Sequence, residues 1–348
     1  MEIKKRTIPI PAGESFATPL FLPVYEEGNP FISMDVLQKE FPCRGIICNA
    51  YFLYRKREIR KKTASFHIKE YLDFKGLVVT DSGAFQALAG PLYLSNSRII
   101  RFQQDIGADI ISPLDLITPP GDSRKAAAAK LGLTIKRIRD GVEIADRAVL
   151  IGVQQGGRFL DLRIEALEKL SELPLHYYAL GSLVPFLNRN HDISFVGKNI
   201  LAARQMLSEK APLHLYGAGD PLELPFFMAL GCDVFDSSSY LHYARGGWYM
   251  TPYGALQRRE DLEKSGFSCA CPLCREDPGS VMEDRRTLAK HNLAVIYSAM
   301  ETAERKSADG TLPDYLLEVI KRHQALFPDS LLEKSWNELV IRDETIGI

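Results

Sequence analysis

Eight short runs of apolar and β-branched residues, separated by stretches with helical periodicity, constrain the fold more than any other feature of this sequence. Each run is too short for an ordinary globular helix and is bounded by turn-forming residues, so each predicts a buried β-strand. The first run is the weakest prediction because it contains a proline, which cannot donate a ladder hydrogen bond. The eight runs are Leu20–Val24, Gly45–Tyr51, Leu77–Asp81, Asp109–Asp115, Val149–Gln155, Tyr177–Val184, Leu213–Asp220 and Cys232–Ser238.

The segments between these runs carry helical patterns, and the alternation predicts βαβ units with a parallel sheet. Eight such units favour a (β/α)₈ TIM barrel, an α/β fold. An open doubly wound sheet is the alternative, but the Gly-x-Gly-x-x-Gly fingerprint does not follow the first strand. The predicted helices are Ser97–Ile106, Asp122–Ala148 with Asp122 or Ser123 as N-cap, Leu160–Leu173, Phe195–Leu207 and one opened by Pro221.

Polar residues end, or nearly end, most of these runs. Each alone is explained by a turn or a helix cap, but in a barrel all would lie at the C-terminal mouth, where barrel enzymes build their sites. Several carboxylates there suggest acid/base chemistry or a covalent carboxylate nucleophile, and the amides suggest recognition of a flat hydrogen-bonding ligand. Phe85 and Tyr51 are candidates for stacking on it or for simple packing. The strand-end residues are Asn49, Asp81, Asp115, Gln155, Ser182, Gly217 with Gly219, and Asp236.

Three closely spaced cysteines, Cys269, Cys271 and Cys274, follow the predicted barrel in a C-x-C-x-x-C pattern. Thiolates at this spacing can converge on one Zn²⁺, and His291 lies within reach as a fourth ligand. Four protein ligands make a closed, structural site. The pattern predicts a barrel over residues 1–255 and a zinc-binding subdomain with C-terminal helices over 256–348, including Leu317–Leu326 and Leu331–Leu339. The other histidines show no ligand spacing and are interpreted as packing or surface residues.

Charge is unevenly distributed, although the net charge is only −1. A basic run after the second predicted strand is either a solvated helix face or a grip for phosphates beside the mouth. Arg245, after the eighth strand, is a candidate for the same role. No apolar run approaches the length of a membrane span and the N-terminus lacks an apolar signal core, which predicts a cytoplasmic protein without membrane contact. The basic run contributes Arg55, Lys56, Arg57, Arg60 and Lys61.

A series of motifs in chain order resembles the tRNA-guanine transglycosylase family, and its archaeosine type more closely than its bacterial queuine type. The resemblance covers roughly residues 15–300, although Ala84 stands where many relatives have Gly or Ser. It implies a (β/α)₈ barrel with a structural zinc subdomain. The motifs are Thr80–Gln86, Pro113–Asp115, Gln155–Gly157, Leu180–Pro185, Leu215–Gly219 and Phe235–Ser237, together with the three cysteines and His291.

This resemblance implies exchange of guanine in tRNA for a 7-deazaguanine base such as preQ0, without cutting the nucleic acid backbone. Asp236 then corresponds to the nucleophile that attacks ribose C1′, and Asp81 to the general acid/base. Two inversions give net retention, as in retaining glycosidases. The positions that match base recognition are Asp115 and Gln155 at the base edge, the backbone of Ser182 and Leu183, and Phe85 as the stacking aromatic.

The archaeosine enzymes usually continue into a PUA region beyond the position of Ile348, where this sequence ends. We therefore expect either a separate PUA-containing subunit or a paralogue that exchanges deazaguanine in DNA. A non-catalytic RNA-binding or partner subunit is a third alternative, although the joint presence of Asp81, Asp115, Gln155 and Asp236 disfavours it. Family members commonly dimerise through the zinc subdomain, so the resemblance also implies a homodimer.

Overall fold

Parallel strands alternate with helices in the computed structural model, which describes residues 1–11, 15–88, 90, 94–275 and 278–345. The α/β prediction is confirmed. Each strand that forms the central sheet coincides with one of the runs identified above. In chain order these strands are β1 (Leu20–Pro23), β2 (Gly45–Asn49), β3 (Leu77–Asp81), β4 (Ile110–Ile111), β5 (Val149–Leu150 continuing as Gly152–Gln154), β6 (Tyr178–Leu180), β7 (Leu213–Leu215) and β8 (Val234–Ser237).

Strand pairing follows chain order and returns to its starting point. Strands β2 to β5 pair in sequence, strands β5 to β8 continue the series, and β8 pairs with β1, all in parallel. A parallel bridge between Val24 and Ile47 links β1 to β2, and the Tyr25 N–H donates to the Ile47 carbonyl at 2.9 Å. This is the pairing order that an eight-stranded parallel barrel requires.

Helices connect successive strands, and further helices follow the last one. Those between strands are Met34–Glu40, Ala50–Arg55, Arg57–Lys61, Ile68–Leu72, Asn96–Asp105, Arg124–Val142, Leu160–Ser171, Ser194–Met206 and Leu224–Ala229. After β8 come Ser239–Arg245, Arg259–Ser265, Pro278–Glu283, Arg285–Ala308, Leu312–Leu326 and Leu332–Thr345. Short 3₁₀ helices span Thr63–Ser65, Ala84–Leu88 and Val184–Phe186, and antiparallel pairs join Thr7–Ile8 to Phe16–Ala17 and Tyr249–Thr251 to Gly254–Leu256.

Side-chain hydrogen bonds explain where two predicted helices differ from the observed ones. Ser123 caps its helix as predicted, but the helix ends at Val142 rather than near Ala148. The Gln104 Oε1 accepts from the N–H groups of Asp146 and Arg147, which draws the chain away from the helix axis. Pro221 does not open a helix, because Asp220 accepts the Leu222 N–H and forms a turn, so the helix begins at Leu224.

Predicted strand ends extend too far where the chain turns into the mouth. Only Ile110–Ile111 pairs within the run predicted as Asp109–Asp115. Pro113 has no N–H to donate, so the ladder cannot continue through it. Similarly, Tyr51 belongs to the helix Ala50–Arg55, because the Asn49 side chain caps that helix by accepting the Phe52 N–H.

The alternation of side chains along each strand divides the core into two layers. One face of the strands forms an apolar interior cluster, to which the N-terminal strand pair adds Ile8. The opposite face packs against the surrounding helices in a larger cluster. Because side chains alternate with a period of two, Asp81 lies on the same inward face as Leu77 and Val79. The interior cluster also includes Leu20, Leu22, Ile47, Ile110, Ile151, Val153, Tyr177, Ala179 and Val234.

The segments after β8 pack back onto the barrel. The buried Asn292 accepts the Met250 N–H at 2.9 Å and so ties the helix Arg285–Ala308 to the strand Tyr249–Thr251. The division into residues 1–255 and 256–348 stays a prediction, and its boundary falls within the strand Gly254–Leu256. Among the helices described, none combines the length and apolarity needed to cross a membrane.

Candidate active site

A cavity of about 650 Å³ opens at the C-terminal ends of the strands. It is the place at which parallel α/β barrels present their sites, since the loops that follow the strands meet there. Its lining includes three aspartates from three separate strands or the loops that follow them, and Glu26 and Glu27 after β1 add two further carboxylates. The polar and aromatic lining residues include Asn49, Asp81, Phe85, Gln86, Asp115, Ser182, Tyr216, Asp236 and His242.

Asp81 ends β3 and is held in an environment that favours its protonated form. Burial raises the pKa of Asp81 to about 7, and the charges of Asp115 and Asp236 add to the rise. Backbone hydrogen bonds from Ser82 and Gly83 oppose it. The Asn49 Nδ2 donates to the Asp81 Oδ2 at 3.1 Å and fixes the side chain. This carboxyl group can therefore hold or release a proton near neutral pH.

The turn after Asp81 requires glycine at position 83. Gly83 has a φ of +85°, which L side chains rarely adopt. A Cβ atom at this position would lie 2.3 Å from the Cβ of Tyr51. Tyr51 thus packs beneath the turn, whereas Phe85, in the short helix that follows, is 63% exposed at the rim of the cavity. Of the two predicted aromatics, Phe85 is the one available to a ligand.

Asp115 and Gln155 form a buried pair. The Gln155 Nε2 donates to the Asp115 Oδ2 at 2.6 Å. Burial raises the pKa of Asp115 to about 6, and the hydrogen bond from Gln155 lowers it in part. Gln155 is fully buried, and its Oε1 finds no partner among the described residues. An unpaired buried amide oxygen is costly, so a hydrogen-bond donor would be favourable there, although Asp115 lines the cavity and Gln155 does not.

Asp236 is the penultimate residue of β8, on another side of the cavity. Its Oδ1 accepts from His214 Nε2 at 2.9 Å and from the Gly217 N–H at 3.1 Å. His214 is completely buried in β7, although its lack of ligand spacing predicts only a packing or surface role. Tyr216, the next inward residue, lines the cavity, and its hydroxyl lies 3.1 Å from Ser112 Oγ. A histidine within an apolar strand does not by itself indicate a functional role. The inward position of His214, on the strand next to the one that carries Asp236, does indicate one.

Ser182 and Leu183, the other predicted base contacts, follow β6 and differ in exposure. Ser182 lines the cavity and adopts a φ of +55°. Its Oγ accepts the Thr118 N–H at 3.0 Å. Leu183 has its side chain wholly in the core, so a contact from it would be made by its backbone. The buried Arg163 donates to the Gly181 carbonyl at 3.1 Å and supports this turn, a role that the sequence did not reveal.

The predicted basic residues are distributed over three helices. Arg55, Arg57, Arg60 and Lys61 are exposed on the short helices after β2. Lys56, between them, lines the cavity and is paired with Glu27. Arg245 is also exposed, but it ends the helix after β8, where its guanidinium lies over the Phe31 ring.

The four predicted metal ligands converge. The ligand atoms of Cys269, Cys271, Cys274 and His291 all lie within 4.8 Å of one another. The His291 Nδ1 lies 3.7, 3.7 and 3.2 Å from the three sulfur atoms. On its other side, His291 Nε2 is 3.0 Å from the Met250 carbonyl, which leaves Nδ1 free to act as a ligand. This cluster could bind a metal ion.

Known proteins are similar to this chain over most of its length. The family model described as queuine tRNA-ribosyltransferase matches residues 6–325. The tRNA-guanine(15) transglycosylase of Methanopyrus kandleri is 38% identical over 318 residues, covering 89% of this chain and 68% of the relative. The protein of that name from Haloferax volcanii is 35% identical over 324 residues, covering 90% and 62%, and that from Methanocaldococcus jannaschii is 32% identical over 330 residues, covering 90% and 50%. The chain thus spans between half and about two thirds of the length of these relatives.

Proposed function

The chain belongs to the queuine tRNA-ribosyltransferase family, and we propose that it is a pentosyltransferase that exchanges guanine in tRNA for a 7-deazaguanine base. The observation that carries this proposal is the convergence of Asp81, Asp115 and Asp236 on one cavity with distinct surroundings. When the environments of neighbouring carboxyl groups give them different pKa values, one can act as an acid while another acts as a nucleophile. The names of the relatives support tRNA as the substrate.

In the proposed reaction, an oxygen of Asp236 attacks C1′ of the target ribose while the C1′–N9 bond of guanine breaks. The base leaves with the bonding electron pair and takes a proton from the Asp81 carboxyl group. The incoming 7-deazaguanine returns a proton to Asp81 and attacks C1′, which breaks the ester and frees Asp236. Each half inverts C1′, so the exchange retains configuration. The target nucleotide must leave its stack to enter the cavity.

Recognition of the base is assigned to the groups around Asp115. An ionised carboxylate accepts hydrogen bonds from the N–H groups of the guanine edge, and the unpaired Gln155 amide oxygen is a second acceptor. The backbone of Ser182 and Leu183 supplies further polar groups. Phe85 is exposed at the rim and offers a ring face for stacking. A homodimer and a PUA-containing partner subunit stay predictions from the resemblance.

The Cys269, Cys271, Cys274 and His291 cluster is proposed to hold one structural Zn²⁺. Tetrahedral zinc, bound at about 2.3 Å to sulfur and about 2.1 Å to nitrogen, would separate those two ligand atoms by about 3.6 Å. The observed separations of 3.2 to 3.7 Å fit this geometry. Four protein ligands leave no open position, so zinc would stabilise the segment after the barrel.

The proposal is tested by base exchange with labelled guanine. Purified protein incubated with tRNA and radiolabelled guanine should incorporate label without strand cleavage, and 7-deazaguanine bases should compete with it. Duplex DNA of matched length serves as the comparison substrate. Incorporation into DNA alone would show that DNA, and not tRNA, is the substrate. Incorporation into neither nucleic acid would overturn the proposed function.

The raised pKa values of Asp81 and Asp115 predict that base exchange is confined to a narrow pH range. We expect kcat/KM for tRNA to rise as Asp115 ionises near pH 6 and to fall as Asp81 loses its proton near pH 7. Because the two carboxyl groups interact, these apparent values belong to the pair. In Asp115→Asn the neighbouring charge is absent, so the falling limb should move to lower pH. The exposed Asp161→Asn is the control, and an unmoved limb in Asp115→Asn would contradict the assignment.

The basic cluster at Arg55–Lys61 is proposed to contact tRNA phosphates. We expect Arg57→Glu with Lys61→Glu to raise Kd for tRNA at least about tenfold and to reduce the slope of log Kd against log salt by about two. The KM for free guanine should not change. The control is Lys136→Glu with Arg139→Glu. These two residues lie in the last turns of the helix Arg124–Val142, away from the mouth, and their substitution alters the same number of charges. Equal weakening by both pairs would refute a specific role.

A further inference from the structure

His214 connects two groups that sit deep in the barrel. The residue lies in the middle of β7, between Leu213 and Leu215, and its side chain is completely buried. Its Nε2 atom is 2.9 Å from the Asp236 Oδ1, and its Nδ1 atom is 3.1 Å from the Tyr177 hydroxyl. Tyr177 is itself fully buried, immediately before β6. The three residues therefore form a hydrogen-bonded chain that ends at the carboxylate.

Because an ionised carboxylate can only accept hydrogen bonds, Asp236 determines which atom donates in each hydrogen bond between the three residues. An ionised Asp236 has no hydrogen to give, so the single N–H of a neutral imidazole must be on Nε2. Nδ1 is then an acceptor and receives the hydrogen of the Tyr177 hydroxyl. Burial raises the pKa of Tyr177 well above its usual value, which keeps that hydroxyl a donor. The hydrogen bond from the Tyr177 hydroxyl to Nδ1 thus fixes the imidazole in the tautomer that is protonated on Nε2, as in other sites where a partner orients a histidine.

Both protein donors to Asp236 act on the same oxygen. Oδ1 accepts from His214 and from the Gly217 N–H, whereas Oδ2 accepts no hydrogen bond from the part of the chain that the structure describes. Gly217 has a φ of +75°, and a Cβ there would lie 2.3 Å from Val184 Cγ2, so only glycine readily places this N–H. One oxygen is anchored and the other is available to react.

We infer that His214 is a positioning residue that anchors Asp236 through Oδ1 and makes Oδ2 the oxygen that attacks C1′. This inference rests on the proposed function. As the Oδ2–C1′ bond forms and the C1′–N9 bond breaks, Oδ1 becomes the ester carbonyl and keeps both hydrogen bonds. No proton passes through His214. When the second base displaces the ester, charge returns to the carboxylate and the two hydrogen bonds strengthen, because charge-assisted bonds are the stronger ones.

A packing role for His214 makes a different prediction. If the imidazole only fills the core, its replacement lowers stability and leaves kcat per folded molecule unchanged. If it positions Asp236, kcat falls while KM for the free base, which is recognised elsewhere in the cavity, stays the same. Loss of orientation at a reacting group costs about 10²-fold or more.

The test compares His214→Gln with His214→Asn in the labelled-guanine exchange assay on tRNA. The amide nitrogen of glutamine reaches near the Nε2 position and can still donate to Asp236, whereas that of asparagine is too short. We expect His214→Asn to lower kcat about 10²-fold with KM for guanine within about twofold, and His214→Gln to recover at least tenfold of that loss. The covalent RNA adduct, seen on denaturing gels, should form more slowly in His214→Asn.

His323→Asn is the matched control, since His323 is equally buried but bonds Tyr253 and Ser330 outside the cavity. Thermal melting verifies folding of each variant, and Tyr177→Phe, which removes only one oxygen atom, serves if the histidine variants do not fold and should lower kcat several-fold. Equal kcat for wild type, His214→Gln and His214→Asn, or for wild type and Tyr177→Phe, would overturn this inference and leave the proposed function intact. Failure of the wild-type protein to exchange guanine would overturn the proposed function itself.

Discussion

Replacing Asp236 with asparagine is expected to abolish base exchange, with a loss in kcat on the order of 10⁴-fold or more. The asparagine keeps an Oδ1 acceptor for His214 and Gly217, so the side chain stays in place. What it lacks is the second anionic oxygen that would form the bond to C1′. Rates of labelled-guanine incorporation and the amount of covalent RNA adduct on denaturing gels are the two measurements.

The control for this substitution lies on the same part of the chain. Asp233 is also an aspartate, but it lies buried immediately before β8, where Arg6 and Arg204 pair with it. Asp233→Asn should lower thermal stability and leave kcat per folded molecule within a few-fold of wild type. Exchange by Asp236→Asn within tenfold of wild type would remove Asp236 from the role of nucleophile.

The location of the candidate site followed from the strand ends, whereas the role of each residue was implied by the family resemblance. Side chains alternate along a strand, so a polar residue two positions beyond an inward apolar residue points to the mouth. Asp81 after Val79 and Asp236 after Val234 satisfy this rule, and both line the cavity. The cysteine spacing carried similar information, because few chain geometries suit three thiols so close together.

Other features depend on contacts between distant segments and have no local signature. His214 is one polar residue between two leucines, and only the pairing of β7 with β8 brings it to Asp236. The end of the helix at Val142 depends on the side chain of Gln104, about forty residues earlier. The overestimated strand lengths have local causes instead, since Pro113 has no N–H to donate and the Asn49 side chain caps the helix that follows β2.

The four predicted metal ligands after the barrel differ in exposure. Cys269 and Cys271 are only partly buried, whereas Cys274 and His291 are buried. Tyr249 closes one side, with its ring stacked on His291 at 3.7 Å between centroids and its hydroxyl 3.2 Å from Cys274 Sγ. Thiolates so close together repel one another unless a cation neutralises them. Bound zinc would supply that charge and would link Cys269–Cys274 to the long helix Arg285–Ala308.

Removing zinc is therefore expected to unfold the segment around Cys269–Cys274 and to lower the Tm by roughly 15–20 °C, because apparent zinc binding in small structural sites contributes about 10–16 kcal/mol to folding. Elemental analysis should find one zinc per chain in the wild-type protein and almost none in Cys274→Ser. Limited proteolysis should then cleave the variant between residues 256 and 284. Cys232→Ser, which alters a buried thiol outside the cluster, should keep its zinc. Wild-type protein that lacks metal and melts at an unchanged temperature after chelation would disprove a structural zinc.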